Sequence, residues 1–453
     1  MAIRLHLDKI PDHMLAMLTK QMTFVGQRRS AADKTIPFYR ISGDRIYMPF
    51  MTGRIRGMDV ETDGSFEIDQ YIVKDNLPYH PKAQMDYIGT LRPKQRSIFD
   101  DAVASLERTK SAQLTLPTGM GKTSLSVKLI GHLGMITLIL LPMDILIEQW
   151  RSTILRDLDI TNEEIAIVGG KKKSPLSADT KIVICLVKSF PNIPALYRDK
   201  FGVVVVDEVH AFINATGAVA MIGVCPDYLI GCSATPERPD GGHRMLRYFF
   251  GNDAVFRDID VNFSVVRVWT GIKPKRPMNA RGELNFVTFQ QGIMRNMQRN
   301  EIIVRLVLYE KRRPIIILVA YTDHVDILCD MLRKRDIAVD TLYGNKSSYE
   351  SCEVLIGTIP KVGTGFDEAK CCSNYQGTPS SVLILGTSIK SNACFVQAIG
   401  RVSRVENPTI YHIIDDDPTI DRHWRCNYSW YKTHGCPVKN IELNYPRVKG
   451  ACS

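Results

Sequence analysis

Short runs of consecutive apolar residues punctuate this chain from Ala112 onward, separated by spans of mixed, helix-forming sequence. A run such as Val203-Val-Val-Val206 has no polar face, so it has to be covered on both sides. Strands of that kind belong to parallel sheets with helices packed on each face. Ala112–Leu116 leads toward a helix near Gly121–His132, and Met135–Leu141 toward one around Asp144–Leu155. Runs beginning at Lys181, Gly202 and Asp227 supply further strands. The alternation resumes after Pro314, with Ile315–Ala320, a helix through Asp323–Arg335, and runs at Ala338–Tyr343, Glu353–Thr358 and Ser381–Gly386. A helix around Asn392–Val402 and a strand at Thr409–Ile414 close this second set. The pattern predicts an α/β chain with two units of similar size, over residues 87–258 and 259–422. No run approaches the ~20 residues of a membrane helix, so no membrane partner is expected.

Outside the two units the texture changes. Residues 1–86 read as a small α+β N-terminal domain, in which Ile36–Ile41 and Arg45–Phe50 flank Ser42-Gly43-Asp44 as a hairpin. Residues 267–313 carry eleven Lys/Arg against three Glu and read as a basic linker opening the second unit. Residues 423–453 read as a basic tail. The net charge of +10 suits a polyanionic partner, although many basic proteins bind none. The eleven cysteines are scattered and read as reduced thiols of a cytoplasmic or nuclear protein. His423, Cys426, His434 and Cys436 cluster without the spacing of a common zinc site.

Three motifs carry chemistry. Leu116-Pro-Thr-Gly-Met-Gly-Lys-Thr123 follows a strand and opens a helix. Loop N–H groups and the positive helix end there would cradle phosphates. Lys122 would reach the β- and γ-phosphates, and the Thr123 hydroxyl would ligate Mg²⁺. Alone, the same letters fit a tight turn ending in a surface lysine. Val203-Val-Val-Val-Asp-Glu-Val-His210 delivers two acids from the end of a buried strand, where α/β sheets bind ligands. Asp207 would hold Mg²⁺, largely through waters, and Glu208 would position and deprotonate an attacking water. Gln397-Ala-Ile-Gly-Arg-Val-Ser-Arg404 places Arg401 and Arg404 three apart, on one face of the expected helix. Facing the first unit, they would neutralise charge on a γ-phosphate; a solvated basic face is the alternative.

Taken in order, these residues resemble the motif set of superfamily 2 helicases. Leu91-Arg-Pro-Lys-Gln95 is similar to the adenine-reading motif, which implies Arg92 and Gln95 at the base. Motif I covers Thr118, Gly119, Met120, Gly121, Lys122 and Thr123. Leu141-Pro142 through Gln149-Trp150 resembles motif Ia, Asp207–His210 motif II, and Ser233-Ala-Thr235 motif III. Gly363-Thr-Gly-Phe-Asp367 resembles motif V and the Gln397–Arg404 stretch motif VI. Within the superfamily, Ser233-Ala-Thr-Pro-Glu-Arg-Pro-Asp-Gly241 is similar to the XPB/UvsW-like branch and to helicases of large DNA viruses, including the poxvirus transcript-release helicase. The XPB group has an Arg-Glu-Asp triplet where this chain has Arg238-Pro239-Asp240.

The resemblance implies two tandem RecA-like domains that bind ATP and Mg²⁺ and move along nucleic acid, DNA rather than RNA. It implies Gly365 and Asp367 at the nucleotide, and His210, Ser233 and Thr235 coupling hydrolysis to movement. Pro142, Gln149, Arg238, Thr358 and Thr364 are implied at the nucleic acid. A monomeric motor is expected, working with replication, repair or transcription proteins, in a viral factory or virion if the source is viral. An RNA-remodelling ATPase in transcript processing and a non-motor nucleic-acid-binding module remain as alternatives.

Overall fold

The computed structural model describes residues 2–26, 34–52, 80–117, 119–171, 173–234, 240–258, 263–363, 366 and 368–442. The chain divides into two compact units, Met1–Asp258 and Ile259–Ser453. Strands are numbered through the chain. The N-terminal segment holds β1 (Ala2–His6), β2 (Thr23–Gly26), β3 (Lys34–Pro37), β4 (Arg40–Ser42) and β5 (Arg45–Pro49). The rest of the first unit holds β6 (Ser111–Thr115), β7 (Thr137–Leu141), β8 (Ile165–Val168), β9 (Ile182–Leu186), β10 (Val203–Asp207), β11 (Tyr228–Ser233) and β12 (Ala254–Phe256).

These last seven form one sheet in the order β12-β6-β11-β10-β7-β9-β8, parallel throughout. The apolar runs explain it through the two-residue period of a strand. Val203 and Val205 pack into one core with Ile139 and Ile230, while Val204 and Val206 pack into a second core with Leu138 and Leu229. Helices cover both faces, among them Lys122–Leu133, which follows β6, and Ile145–Asp157, which follows β7.

The second unit repeats the design with β13 (Ser264–Trp269), β14 (Ile315–Val319), β15 (Val339–Leu342), β16 (Val354–Thr358), β17 (Val382–Leu385), β18 (Thr409–Ile414) and β19 (Val438–Glu442). Their order is β15-β16-β14-β17-β18-β13-β19, again parallel throughout.

Two expectations about this unit need correction. The basic stretch 267–313 is not a linker: β13 lies inside the sheet, and helices Phe286–Met294 and Met297–Tyr309 follow it. Its charge is met within the unit by the acids after β18. Arg299 pairs with Asp415 at 2.8 Å, with both side chains buried. Arg276 pairs with Asp417, Lys273 with Asp416 and Arg267 with Asp421. Residues 423–442 are not a tail either. The helix Pro418–Thr433 runs across residue 423 and buries Trp424 and Tyr431, and β19 adds a strand beside β13. Residues 443–453 lie outside the described residues.

The N-terminal segment forms the expected small domain of a helix and antiparallel strands, within the first unit, but its ribbons pair differently from the reading. The run Ile36–Ile41 is split between two ribbons: β3 pairs with β2, while β4 pairs with β5 around Gly43-Asp44. The chain reverses there because Gly43 takes φ +60°. β1, β5 and β4 make a small antiparallel sheet. Ile3, Leu5, Ile46 and Met48 give it a core of its own, while Ala2, Ile36 and Phe38 pack into a core of the parallel sheet. Phe38 is fully buried, its ring 5.9 Å from that of Phe249, and Ala2 N–H donates to the Val224 carbonyl at 2.8 Å. Phe38→Ala therefore should cost the first unit about 3–5 kcal/mol, as large-to-small changes of buried aromatics do. Denaturant unfolding measures this; a loss under about 1 kcal/mol would mean the segment is only loosely attached.

Candidate functional site

The register of three neighbouring strands assembles the site in the first unit. Asp207, the last residue of β10, pairs with Cys232 of β11, and Ser233 pairs with Thr115 of β6. The Leu116 N–H extends that pairing by donating to the Ser233 carbonyl at 3.0 Å. Motifs I, II and III thus emerge side by side from one carboxyl-terminal edge, although about 115 residues of sequence separate the outer two.

Beyond β6 the loop turns sharply into the helix Lys122–Leu133, whose N-cap is Gly121. Gly119 and Gly121 both take φ +85°. A side chain at Gly121 is excluded twice over, because a Cβ there would lie 2.1 Å from Gln95 Nε2. Residues of the Leu91–Gln95 stretch grip this loop. Arg92 Nη2 donates to the Gly119 carbonyl at 2.8 Å, and Gln95 Nε2 donates to the Met120 carbonyl at 3.0 Å. Gln95 Oε1 in turn accepts from the Arg92 N–H, capping the helix Pro93–Thr109. Lys122 folds back, with Nζ donating to the Leu116 carbonyl at 3.0 Å. Thr123 is half-buried on the first turn of its helix. Thr118 lies outside the described residues.

Asp207 is buried, and its two oxygens have fixed partners. Trp150 Nε1–H donates to Oδ2 at 2.8 Å, and the Glu208 N–H donates to Oδ1 at 3.0 Å. Burial, with the Glu208 carboxylate beside it, pushes the Asp207 carboxyl up to about 6. Glu208 sits in the left-handed region at φ +52°, a conformation that costs a non-glycine residue about 1–3 kcal/mol and is found at functional sites. His210 Nδ1 lies 3.1 Å from Ser233 Oγ and 3.5 Å from Glu208 Oε2, so one imidazole links motif II to motif III. Thr235 and Arg238 lie outside the described residues.

The residues fit a Mg²⁺–nucleotide. Two left-handed glycines turn the loop onto the N-terminus of a helix, whose first N–H groups have no partner within the helix, and the Lys122 ammonium and the buried Asp207 carboxylate flank it. Trp150 is the residue that sequence reading passed over. It closes the stretch that resembles motif Ia, and its spacing from Asp207 gives no hint that the indole holds that carboxylate. Pro142 follows β7 at the same edge, and Gln149 is half-buried on the helix Ile145–Asp157.

In the second unit, Gln397 is buried on the helix Asn392–Ile399. That helix stops at Ile399, short of the Val402 that the pattern suggests, and Gly400 caps it. Arg401 and Arg404 therefore lie in the turn that follows and not on a helical face. The Arg401 and Val402 N–H groups bond three residues back, which tightens the chain out of the α-helix. Arg401 is buried and its Nη1 donates to the Phe366 carbonyl of motif V, whereas Arg404 is exposed. Thr358, the last residue of β16, is buried. Thr364, Gly365 and Asp367 lie outside the described residues. Near the C-terminus, His423 Nδ1 lies 3.0 Å from Ser388 Oγ while Cys426 is exposed.

Comparison with known proteins agrees with this arrangement. The family model of the type III restriction enzyme res subunit matches residues 88–238, which contain motifs I to III. A protein of Invertebrate iridescent virus 6 named as a helicase, 161L, is 27% identical over 98% of this chain and 100% of its own length. These likenesses support a helicase of superfamily 2. The chain is also 32% identical to XPB2 of Sulfurisphaera tokodaii, named a DNA 3′-5′ translocase, over 33% of each chain. Among solved structures, S. cerevisiae Dbp5 bound to RNA and ADP BeF3 matches with a TM-score of 0.55 and 13% identity, covering 76% of this chain and 89% of that one. That likeness shows the fold: two RecA-like domains.

The buried carboxylate generates a pH prediction. Asp207 must be ionised to hold a cation, so the Mg²⁺ requirement of turnover should be flat above pH about 6 and rise as pH falls below it. Trp150→Phe removes a hydrogen bond that favours the carboxylate. A bond to a charged group is worth roughly 1.5–3 kcal/mol, so the midpoint should move up by about 1–2 pH units. Mg²⁺ titrations of ATPase rate across pH 5–8 measure it. An unshifted midpoint would detach Trp150 from the site.

Proposed function

We propose that this helicase is an ATP-driven translocase acting on DNA, and that its turnover centre is the motif I–II–III edge of the first unit. The observation that carries the reading is the parallel register, because it brings Lys122, Asp207, Glu208, His210 and Ser233 to one edge from distant parts of the sequence. Lys122 would exchange its bond to the Leu116 carbonyl for the β- and γ-phosphates. Thr123 and Asp207 would hold Mg²⁺, which supplies charge neutralisation when bound. Glu208, held away from the strand by its left-handed backbone, would orient and deprotonate the attacking water. His210 would report the state of Glu208 to Ser233, linking hydrolysis to the segment that follows motif III.

Arg92 and Gln95 would read the adenine from the loop they already grip. Of the two motif VI arginines, Arg404 is the better candidate to meet a γ-phosphate, because it is exposed. Arg401 would act by holding the motif V backbone through the Phe366 carbonyl. Gln397 would support the same turn, and Gly365 and Asp367 would face the nucleotide. Pro142, Gln149, Thr358 and Thr364 would contact a strand held through its phosphates, with Thr235 and Arg238 beside it.

The partial match to a protein named a DNA translocase, and the Ser233–Gly241 sequence, favour DNA. The second reading, remodelling of RNA, has the fold match to Dbp5 in its RNA-bound structure behind it. ATPase rate measured against single-stranded, forked and duplex DNA and RNA separates the two. DNA should stimulate the rate on the order of tenfold more than RNA, an extra ~1.4 kcal/mol of barrier lowering. Lys122→Ala should remove the rate while leaving nucleic-acid affinity within a few-fold. Stimulation by RNA alone would favour the second reading, and turnover surviving in Lys122→Ala would overturn the assignment of the centre.

A further inference from the structure

A cavity of about 300 Å³ opens between the N-terminal segment and the helix Ala215–Ile222, well away from the turnover centre. Its walls are mainly aliphatic, made by Ile36, Pro37, Ala215, Ala218, Val219 and Ile222 with the Tyr39 ring beside them, and its volume is at the lower end of ligand pockets. Val219 is 57% exposed at its margin. Two arginines, Arg40 and Arg198, line the same cavity.

Both guanidinium groups are positioned in advance. Arg40 lies over the Tyr47 ring at 4.3 Å and Arg198 over the Phe190 ring at 4.6 Å. Arg198 also donates from Nε to the Ile193 carbonyl and from Nη2 to the Pro191 carbonyl. Neither arginine has a carboxylate partner among the described residues. The acid next to Arg198, Asp199, is taken by Arg4 at 2.7 Å. Burial and the nearby Arg40 charge both lower the Arg198 pKa, so the pair is repulsive as it stands. Ordered guanidinium groups that line one apolar cavity are complementary to an anion carried on an apolar body.

We propose that this cavity docks an extended acidic peptide segment of a partner protein, which seats one bulky apolar side chain between β3 and the helix Ala215–Ile222 and sets carboxylates on Arg40 and Arg198. A peptide fits better than a nucleic acid, because the walls are mainly aliphatic, with one tyrosine ring, and offer no side-chain amide or carboxylate to read a base edge. The location permits simultaneous binding. Arg198 and Gly223 precede the starts of β10 and β11, whereas the nucleotide loop and Asp207 follow strand ends. A five-residue strand separates the two edges by about 16 Å. A partner held here would travel with the motor without covering its ATP site.

Selection of short random peptides from a display library against the full chain tests the proposal, with Val219→Glu as the comparison variant in the binding measurements that follow. That variant places a carboxylate at an exposed position on the cavity wall, where it satisfies the arginines and fills the entrance. Enriched peptides should carry Asp or Glu within a few residues of Phe, Leu or Trp. The leading synthetic peptide should lose affinity on the order of tenfold in Val219→Glu and in Arg40→Glu, as loss of a charge-assisted contact implies. It should also bind more weakly when its acids are changed to amides. Both variants should keep their unfolding midpoint and their ATPase rate. If Arg40→Glu does not fold, Val219→Glu carries the comparison alone. Enrichment without acids, or equal binding to Val219→Glu, would overturn the proposal. So would a tenfold loss of DNA-oligonucleotide affinity in Arg40→Glu with no peptide selected, since that would make the arginines part of the nucleic-acid track.

Discussion

The parallel hydrogen-bonded register of β6, β11 and β10 is the constraint on which the first unit depends. A shift of one residue in either pairing would send Val203–Val206 to the wrong faces of the sheet, and would move Asp207 away from Trp150 and the loop. The same alternation that fills two cores therefore fixes where the carboxylates emerge. Packing and chemistry cannot be varied independently here: the valines that hold β10 in place are the positioning device for the acids that follow them. The left-handed Glu208 follows from the arrangement, since the chain must leave the strand at once if the second acid is to diverge from the first.

The fold was largely legible because parallel strands buried on both faces write themselves as uninterrupted apolar runs. Strands that lack this signal escaped. β12 has exposed positions on either side of Val255, and β19 sets Lys439 and Asn440 between Val438 and Ile441, so neither shows as an apolar run. β13 was hidden in another way. Val265, Val266 and Val268 form an apolar run, but its Arg267 and the cations beyond it made the stretch look like a charged linker. The missing information was the partner: Asp415, Asp416, Asp417 and Asp421 lie more than 100 residues downstream, and pattern reading within one segment cannot join them to Arg267–Arg299. Much of the basic excess there serves the unit's own cohesion, and the buried Arg299–Asp415 pair is satisfied further by Thr270 Oγ1 and the Gly386 carbonyl.

The site was legible to the extent that a motif is a contiguous string. Loop glycines, the acid pair and the hydroxyl of motif III sit where their spacing implies. What sequence could not supply are the contacts made across elements: Trp150 on Asp207, Arg92 and Gln95 on the loop carbonyls, Arg401 on the motif V backbone. Each is a side chain from one motif bonded to another, so the motifs behave as a network. The N-terminal segment shows the same limit at larger scale. Phe38 looks like any strand residue in its own hairpin, yet it completes the core of a sheet that begins some 70 residues later.

In the proposed reading Glu208 would activate water while the rest of the edge binds. The most direct test of that reading is the single-turnover ATP hydrolysis rate of Glu208→Gln beside its nucleotide affinity. The substitution keeps the shape and removes the base. Hydrolysis should fall by about 10²–10⁴-fold, the usual contribution of a general base, while ATP still binds within a few-fold of the wild type. Hydrolysis within tenfold of the wild-type rate would contradict the account, because another group would then be the base and the register of β10 would not be what positions it.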